Sequence, residues 1–230
     1  MKPHLKKMWC IGRMTGEYLA RMEDVLSLYN LPYNPFRPVI CVDELPFQLL
    51  GDLVEPLLMK PGAIKKIDYE YARKGVASVF VAFEPLMGKR LVRVYRQRTR
   101  ADYCRFAQEV ARHWSDAEQI VLVQDNLNTH NAGSFYENLP PAEAFALSRR
   151  FDFHYTPKKG SWLNMAELEL SALSRVCLSR RIADMKTLSH QLESIAGERN
   201  ALEVKVKWQF TVEQARQKLS RHYEELTSKN

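Results

Sequence analysis

The sequence has no Cys-x-x-Cys pair, no Gly-x-Gly-x-x-Gly or Walker loop, and no His-Glu-x-x-His. Its four cysteines, Cys10, Cys41, Cys104 and Cys177, are widely spaced. That spacing speaks against a zinc ribbon and a dense disulfide framework, and a reducing cytosol is the simplest setting. Without a glycine-rich phosphate loop, a dinucleotide or P-loop enzyme is not expected. The longest apolar run, Val76–Phe83, is already broken by Ser78. A bilayer-crossing helix needs roughly 20 such residues, so none is expected, and with it no membrane partner. The basic start, Met1-Lys2-Pro3-His4-Leu5-Lys6-Lys7, leads into no long apolar core, so no secretory signal is expected. No internal repeat is visible.

What is present describes a globular chain. Its 230 residues are 46% hydrophobic and 27% charged, enough for one large domain, or one domain with appendages, to bury its own core. The net charge is +7, and it is unevenly spread. Residues 86–112 carry eight basic residues against Asp102 and Glu109, a net +6. Arg93, Arg96, Arg98 and Arg100 in that segment suit phosphate contact, and a solvated strand and helix face is the plainer alternative.

Periodicity predicts a helix over Met14–Tyr29, then an extended, proline-rich stretch to Pro38. Val39–Asp43, Val76–Phe83, Leu91–Gln97, Ile120–Gln124 and Phe151–Tyr155 read as strands. Several are continuously apolar, as strands buried on both faces are. Residues 46–75, with Pro46, Pro56, Pro61 and Gly62, read as an irregular excursion. Helices are expected over Ala101–Trp114, Ala132–Arg150 (interrupted at Pro140-Pro141), Trp162–Arg180, Asp184–Arg199 and Thr211–Leu226. Three early strands followed by αβ alternation imply a mixed five-stranded sheet flanked by helices, with a helical C-terminal extension. The expected division is a helical leader or linker over 1–37, a core domain over 38–182 and the extension over 183–230.

Two of the most apolar strands run into an aspartate, Asp43 and Asp125. If those strands are parallel neighbours, about 4.8 Å apart, the carboxylates lie side by side and repel unless they share a proton or a cation. A divalent metal resolves the repulsion, and an oxygen-only donor set suits magnesium or manganese. The alternative is that each aspartate merely caps or turns the chain after its strand. Glu167 is the leading third acid. It stands three residues after Asn164, a spacing that also fits a capping box. Glu169 is the alternative, about 200° around the helix, so only one of the two can face a site. Glu44 points to the opposite side of its strand from Asp43 and reads as a supporting or salt-bridge residue.

Three blocks, Val42-Asp43-Glu44, Gln124-Asp125-Asn126-Leu127-Asn128-Thr129-His130 and Thr156-Pro157-Lys158-Lys159-Gly160-Ser161-Trp162-Leu163-Asn164-Met165-Ala166-Glu167, stand in order on these elements. Together they resemble the DDE transposases of bacterial insertion sequences, most nearly the insertion-sequence-630 family and its mariner-type relatives. The resemblance runs over nearly the whole chain. It implies an RNase H-like fold and a two-metal mechanism with two Mg2+ ions, for which Mn2+ substitutes. Carried over by position, Asp43 would contact both ions, Asp125 one and Glu167 the other. Their carboxylates should all reach a metal pair spaced on the order of 4 Å. Water would first cleave the phosphodiester at the element end, and the freed 3′-hydroxyl would then attack target DNA. The implied partners are transposon-end and target DNA, with a homodimer on DNA, in the bacterial cytoplasm.

Around the trio, Asn126, His130 and Asn164 are candidates to orient ligands, with helix capping as the alternative for the first two. Lys158, Lys159 and Ser161 can hold phosphates near a helix N-terminus. Trp162 can stack on a displaced base or simply pack. Two departures from the family pattern stand out. Lys159 replaces a histidine that close relatives tend to carry. Residues 1–37 leave little room for the family's helix-turn-helix region, so a fragment, or a catalytically idle DNA-binding remnant, is the competing expectation.

Overall fold

The computed structural model describes residues 14–54, 69–127 and 129–228. Cys10, the basic start and Asn128 lie outside the described residues. Helix α1 (Gly16–Tyr29) begins where the Thr15 hydroxyl accepts a hydrogen bond from the Tyr18 amide, and it turns Leu19, Met22, Val25 and Leu26 inward. There follow β1 (Val39–Asp52), β2 (Tyr71–Glu84), β3 (Lys89–Tyr95), α2 (Arg100–His113), β4 (Ile120–Gln124), the short α3 (Gly133–Tyr136), α4 (Pro141–Arg149) and β5 (Phe151–Tyr155). The chain closes with α5 (Ala166–Leu173), α6 (Met185–Ala201), α7 (Val212–Lys218) and α8 (Ser220–Thr227).

The five strands form one sheet in the order β3-β2-β1-β4-β5. The β1/β2 and β2/β3 pairs are antiparallel, whereas β1/β4 and β4/β5 are parallel. The β2–β3 turn closes on Gly88, whose φ of 67° is the left-handed region that side chains avoid. A Cβ there would also come within 2.6 Å of the Glu203 backbone, so the C-terminal chain crosses directly over this turn.

Both faces of the sheet are covered, and this is why its strands are apolar without alternation. On one face Ile40, Val42, Phe80, Ala82, Ile120 and Leu122 pack under α2, α3 and α4, with the Phe80 and Phe106 rings 5.3 Å apart. On the other, Val79, Val81, Phe83 and Val92 meet Leu170 and Leu173 of α5 and Leu188, Leu192 and Ala196 of α6. Cys41 and Val123, also on that second face, lie under Met22, Val25 and Leu26 of α1 and Leu163. Each fully buried side chain of this size contributes roughly 1.5–3 kcal/mol. Residues 188–196 of the helical extension thus belong to the packing that holds the sheet.

The sheet is mixed and five-stranded, with its strands and helices in the chain order expected from sequence, and three local expectations are corrected. Pro46 does not end β1, which continues to Asp52 while β2 starts at Tyr71. Beyond Cys41 the strand pairs with β2 alone, and a proline is tolerated where one side of the ladder is open. The helix expected over Ala132–Arg150 is only α3 and α4, because Pro140-Pro141 restarts the chain at a new first turn. The helix expected over Trp162–Arg180 is a 3₁₀ turn (Ser161–Leu163), α5 and a π turn (Ser174–Leu178). Asn164, extended at ψ 109°, breaks its start.

Candidate active site

Cys41 of β1 pairs with Val123 of β4 in parallel register. Asp43 and Asp125 each follow two residues later, so they leave neighbouring strands at equivalent positions and on the same face as Cys41 and Val123. That is the face covered by α1 and α5. The start of α5 is pinned to β1 beside Asp43, because the Asn164 amide donates to the Val42 carbonyl at 2.8 Å. The side-chain Oδ1 of Asn164 meanwhile accepts from the amide of Ala166, the first residue of α5, at 3.1 Å. Glu167 follows on the first turn, half-buried; its amide donates to the Asn164 backbone carbonyl at 3.1 Å, and its side chain has no hydrogen bond or ion pair among the described residues. Its side chain therefore does not complete a capping box.

Asp43 records the meeting of these acids. Burial, joined by the charges of Asp125, Glu167 and Glu44, pushes its carboxyl up to about 7, against the pull of the hydrogen bond it accepts from the Glu44 amide at 2.8 Å. The three side chains converge without closing: among the described residues, no three His, Cys, Asp or Glu side chains stand at ligating distance from one point. The donor set nevertheless fits a divalent cation. It is all oxygen, the charges of Asp125 and Glu167 raise the proton affinity of Asp43, and the Glu167 side chain has no hydrogen bond or ion pair among the described residues.

The raised Asp43 carboxyl has a measurable sign. Its folded value lies above its unfolded value of 3.8, so the native state holds the proton more tightly. The resulting stability is fully present below pH 3.8 and is lost as pH rises through about 7. Thermal melts in chelator should show this decline, and Asp43→Asn should flatten it. An unchanged pH profile in the variant would refute the assignment.

The other face of β1 supplies a second set of contacts. Glu44 alternates to the α2 side, as the sequence implied, and its side chain is 3% exposed. His130 lies between the two strands, with Nδ1 2.6 Å from Asp125 Oδ1 and Nε2 2.9 Å from Glu44 Oε2. Burial alone would lower its pKa, but the bonds to Asp125 and Glu44 outweigh it and lift the imidazole to about 9. The ring stacks on Tyr103 at 4.8 Å. Tyr103 donates to Gln124 Oε1 at 2.8 Å, and Gln124 Nε2 donates to the His130 carbonyl at 2.9 Å. Neither His130 nor Asn126 caps α3, whose first turn has no side-chain cap. Asn126 is exposed. Sequence reasoning missed Tyr103 and Gln124; the only local signal was a glutamine directly before Asp125.

Glu169 does not face the acids. It is 1% exposed, accepts from Arg199 Nε and Nη2 at 2.8 Å each and lies 3.0 Å from Arg90, whose side chain is wholly buried. This ion triad ties α5 to β3 and α6.

The candidate DNA contacts are scattered. Lys158 and Lys159 are exposed on the loop before the 3₁₀ turn, without ion pairs among the described residues, and Lys159 holds a left-handed φ of 63°. Ser161 is exposed beside them. Trp162 is 44% exposed and lies against Trp208 and Phe210, at 6.4 and 6.0 Å between ring centroids. The basic segment is largely neutralised by its neighbours. Arg93 meets Glu109 and Glu193, Arg100 meets Glu137, and Arg98 lies 3.8 Å from Glu44. Arg96 is exposed and has no ion pair among the described residues. Cys41, Cys104 and Cys177 are free and buried. No helix among the described residues is long and apolar enough to cross a membrane.

A search of curated proteins found no match. Among solved structures, the chain is similar to the Mos1 mariner paired end complex with Mn, at TM-score 0.53 and 12% identity over 98% of this chain and 68% of that one. It is likewise similar to a pre-cleavage Mos1 transpososome, at TM-score 0.54 and 11% identity over 98% and 68%. A third is the Mos1 transposase paired-end complex with left transposon end, at TM-score 0.50 and 11% identity over 89% and 69%. At these identities the likeness establishes the fold, an RNase H-like mixed sheet flanked by helices. A family profile described as DDE superfamily endonuclease matches residues 38–189, a span that contains Asp43, Asp125 and Glu167 together with Glu44 and His130. The chain belongs to the DDE superfamily endonucleases.

Proposed function

We propose that this chain is a DNA transposase of the insertion-sequence-630 type, cleaving phosphodiesters at transposon ends and transferring the 3′-hydroxyl to target DNA. What supports the reading is that Asp43 and Asp125 follow neighbouring parallel strands at equivalent positions, and that Asp125 and Glu167 both lie near enough for their charges to raise the Asp43 carboxyl. Asp43, on which the charges of both others act, would hold both of two Mg2+ or Mn2+ ions, with Asp125 and Glu167 each holding one, as the family resemblance implies. Bound there, the ions would activate the attacking oxygen and stabilise the leaving oxygen of an in-line displacement. The chain supplies rigid placement: adjacent strands carry two carboxylates, and Asn164 fixes the helix that carries the third.

Lys158, Lys159 and Ser161, with Arg96 on the basic segment, are proposed to hold DNA phosphates beside the acids, and Trp162 to border them. DNA is the proposed partner, bound by a homodimer in the bacterial cytoplasm. Residues 38–182 would carry the chemistry, with 1–37 and 183–230 bracing it. One observation favours a second reading, a DNA-binding remnant that has lost catalysis: no three acids stand at ligating distance among the described residues.

The test is incubation of the full chain with supercoiled plasmid carrying the terminal repeats that flank its coding sequence, in Mg2+ or Mn2+. Metal-dependent nicking and joined products are expected. DNA binding without nicking in either metal would select the remnant.

A further inference from the structure

Asp125 and Glu44 leave β4 and β1 on opposite sides of the sheet, yet one imidazole touches both. His130 is 1% exposed. Its Nδ1 lies 2.6 Å from Asp125 Oδ1, and its Nε2 lies 2.9 Å from Glu44 Oε2. The ring cannot swing away. Tyr103 stacks on it at 4.8 Å, and Phe135 stacks on Tyr103 at 6.0 Å from behind. Gln124, itself fully buried and held by the Tyr103 hydroxyl, grips the His130 carbonyl. A cationic ring enclosed between two carboxylates is a built feature, hydrogen-bonded to Asp125 and ion-paired with the buried Glu44, because removing it would leave the Glu44 charge buried without its closest cation.

We propose that Glu44 and His130 are positioning residues that aim Asp125: His130 engages Oδ1, so that Oδ2 alone is presented to a divalent cation. Glu44 fixes the imidazole from the far side. Since Glu44 adjoins Asp43, the bridge also ties the strand bearing the first acid to the strand end bearing the second. The inference rests on Asp125 being a metal ligand, and it adds how that ligand is held. Outer partners of metal ligands fix orientation, and their loss typically costs about 10–100-fold in affinity.

The test is Mn2+ binding to the full chain without DNA, read from the loss of the free-ion electron paramagnetic resonance signal. Far-UV circular dichroism checks folding. His130→Ala is expected to weaken Mn2+ binding about 10–100-fold, and His130→Asn, whose amide can still donate towards Asp125, to recover part of that loss. Glu44→Gln should weaken binding in the wild-type background and add nothing to His130→Ala, since the two act through one ring. If His130→Ala does not fold, His130→Asn with Glu44→Ala carries the same comparison. Wild-type Mn2+ affinity in the His130 variants, with Asp125→Asn losing the ion, overturns the positioning role alone. Unchanged affinity in Asp125→Asn as well overturns both this role and the ligand reading beneath it.

Discussion

Asp43→Asn is expected to lower metal-dependent DNA nicking by at least about three orders of magnitude, while making the cation-free protein more stable. A thousandfold loss corresponds to about 4 kcal/mol of transition-state stabilisation, a plausible demand on a carboxylate that would serve two ions. The gain in stability follows from the same position. Burial and the neighbouring charges of Asp125, Glu167 and Glu44 lift the Asp43 carboxyl from 3.8 to about 7. Above pH 7 the ionised group therefore opposes folding by roughly 4 kcal/mol, at about 1.4 kcal/mol per unit. An amide of nearly the same shape removes that opposition. Plasmid nicking in Mn2+ and thermal unfolding in chelator at pH 8 measure the two effects side by side. A variant that loses activity through misfolding would melt earlier, and a residue without a catalytic role would leave nicking intact. Opposite movements of activity and melting temperature are the signature of a group held for chemistry at a cost to the fold.

Glu169→Ala should have the largest effect on stability. It strips the shared carboxylate from Arg90, whose side chain is wholly buried, and from Arg199. Removing one member of a buried ion group leaves uncompensated charge and typically costs 3–5 kcal/mol. In a chain of this size that is a fall of about 10 °C in melting temperature. Replacing Arg90, Glu169 and Arg199 together by apolar residues of similar volume should be far milder, because no charge is then stranded. Thermal denaturation of the single and triple variants separates the cases. A single variant within 1 °C of wild type would show that the triad is not a structural clamp. Because α5 also carries Glu167, loosening it should weaken Mn2+ binding even below the melting range.

Much of this architecture is legible in the sequence, for a physical reason. Val39–Val42, Val79–Phe83 and Ile120–Val123 lie between two layers of helices, so every residue in them is apolar and the strands announce themselves. The acids that follow two of those strands stand out against that background, and the block before Glu167 marks the third. Long-range pairing is illegible. The carboxylates of Glu193 and Glu137 that reach the basic segment come from a helix and a helix end outside it, so its charge is visible in the sequence and this part of its neutralisation is not. Nor does any local spacing show that Glu44 and His130, 86 positions apart by their numbers, share one contact. The strand through Pro46 and the broken helix after Trp162 depend on which side of each is covered, a property of neighbours and not of the segment.

The clamp on α5 also has a place in time. Arg90 is made early, Glu169 well after it, and Arg199 later still. The Trp208 ring that packs 5.3 Å from Tyr29, and the Arg216 and Tyr223 side chains that hold Glu23 of α1, come last. At about 5–20 residues per second, synthesis from Glu169 to Arg216 takes on the order of 2–10 s. Throughout that interval the five strands are already complete, while the helix bearing Glu167 and the helix at the front of the chain both wait for their partners. A message cut short before Arg199 would carry all five strands, with the helix of the third acid held by Asn164 and Arg90 but lacking its second arginine.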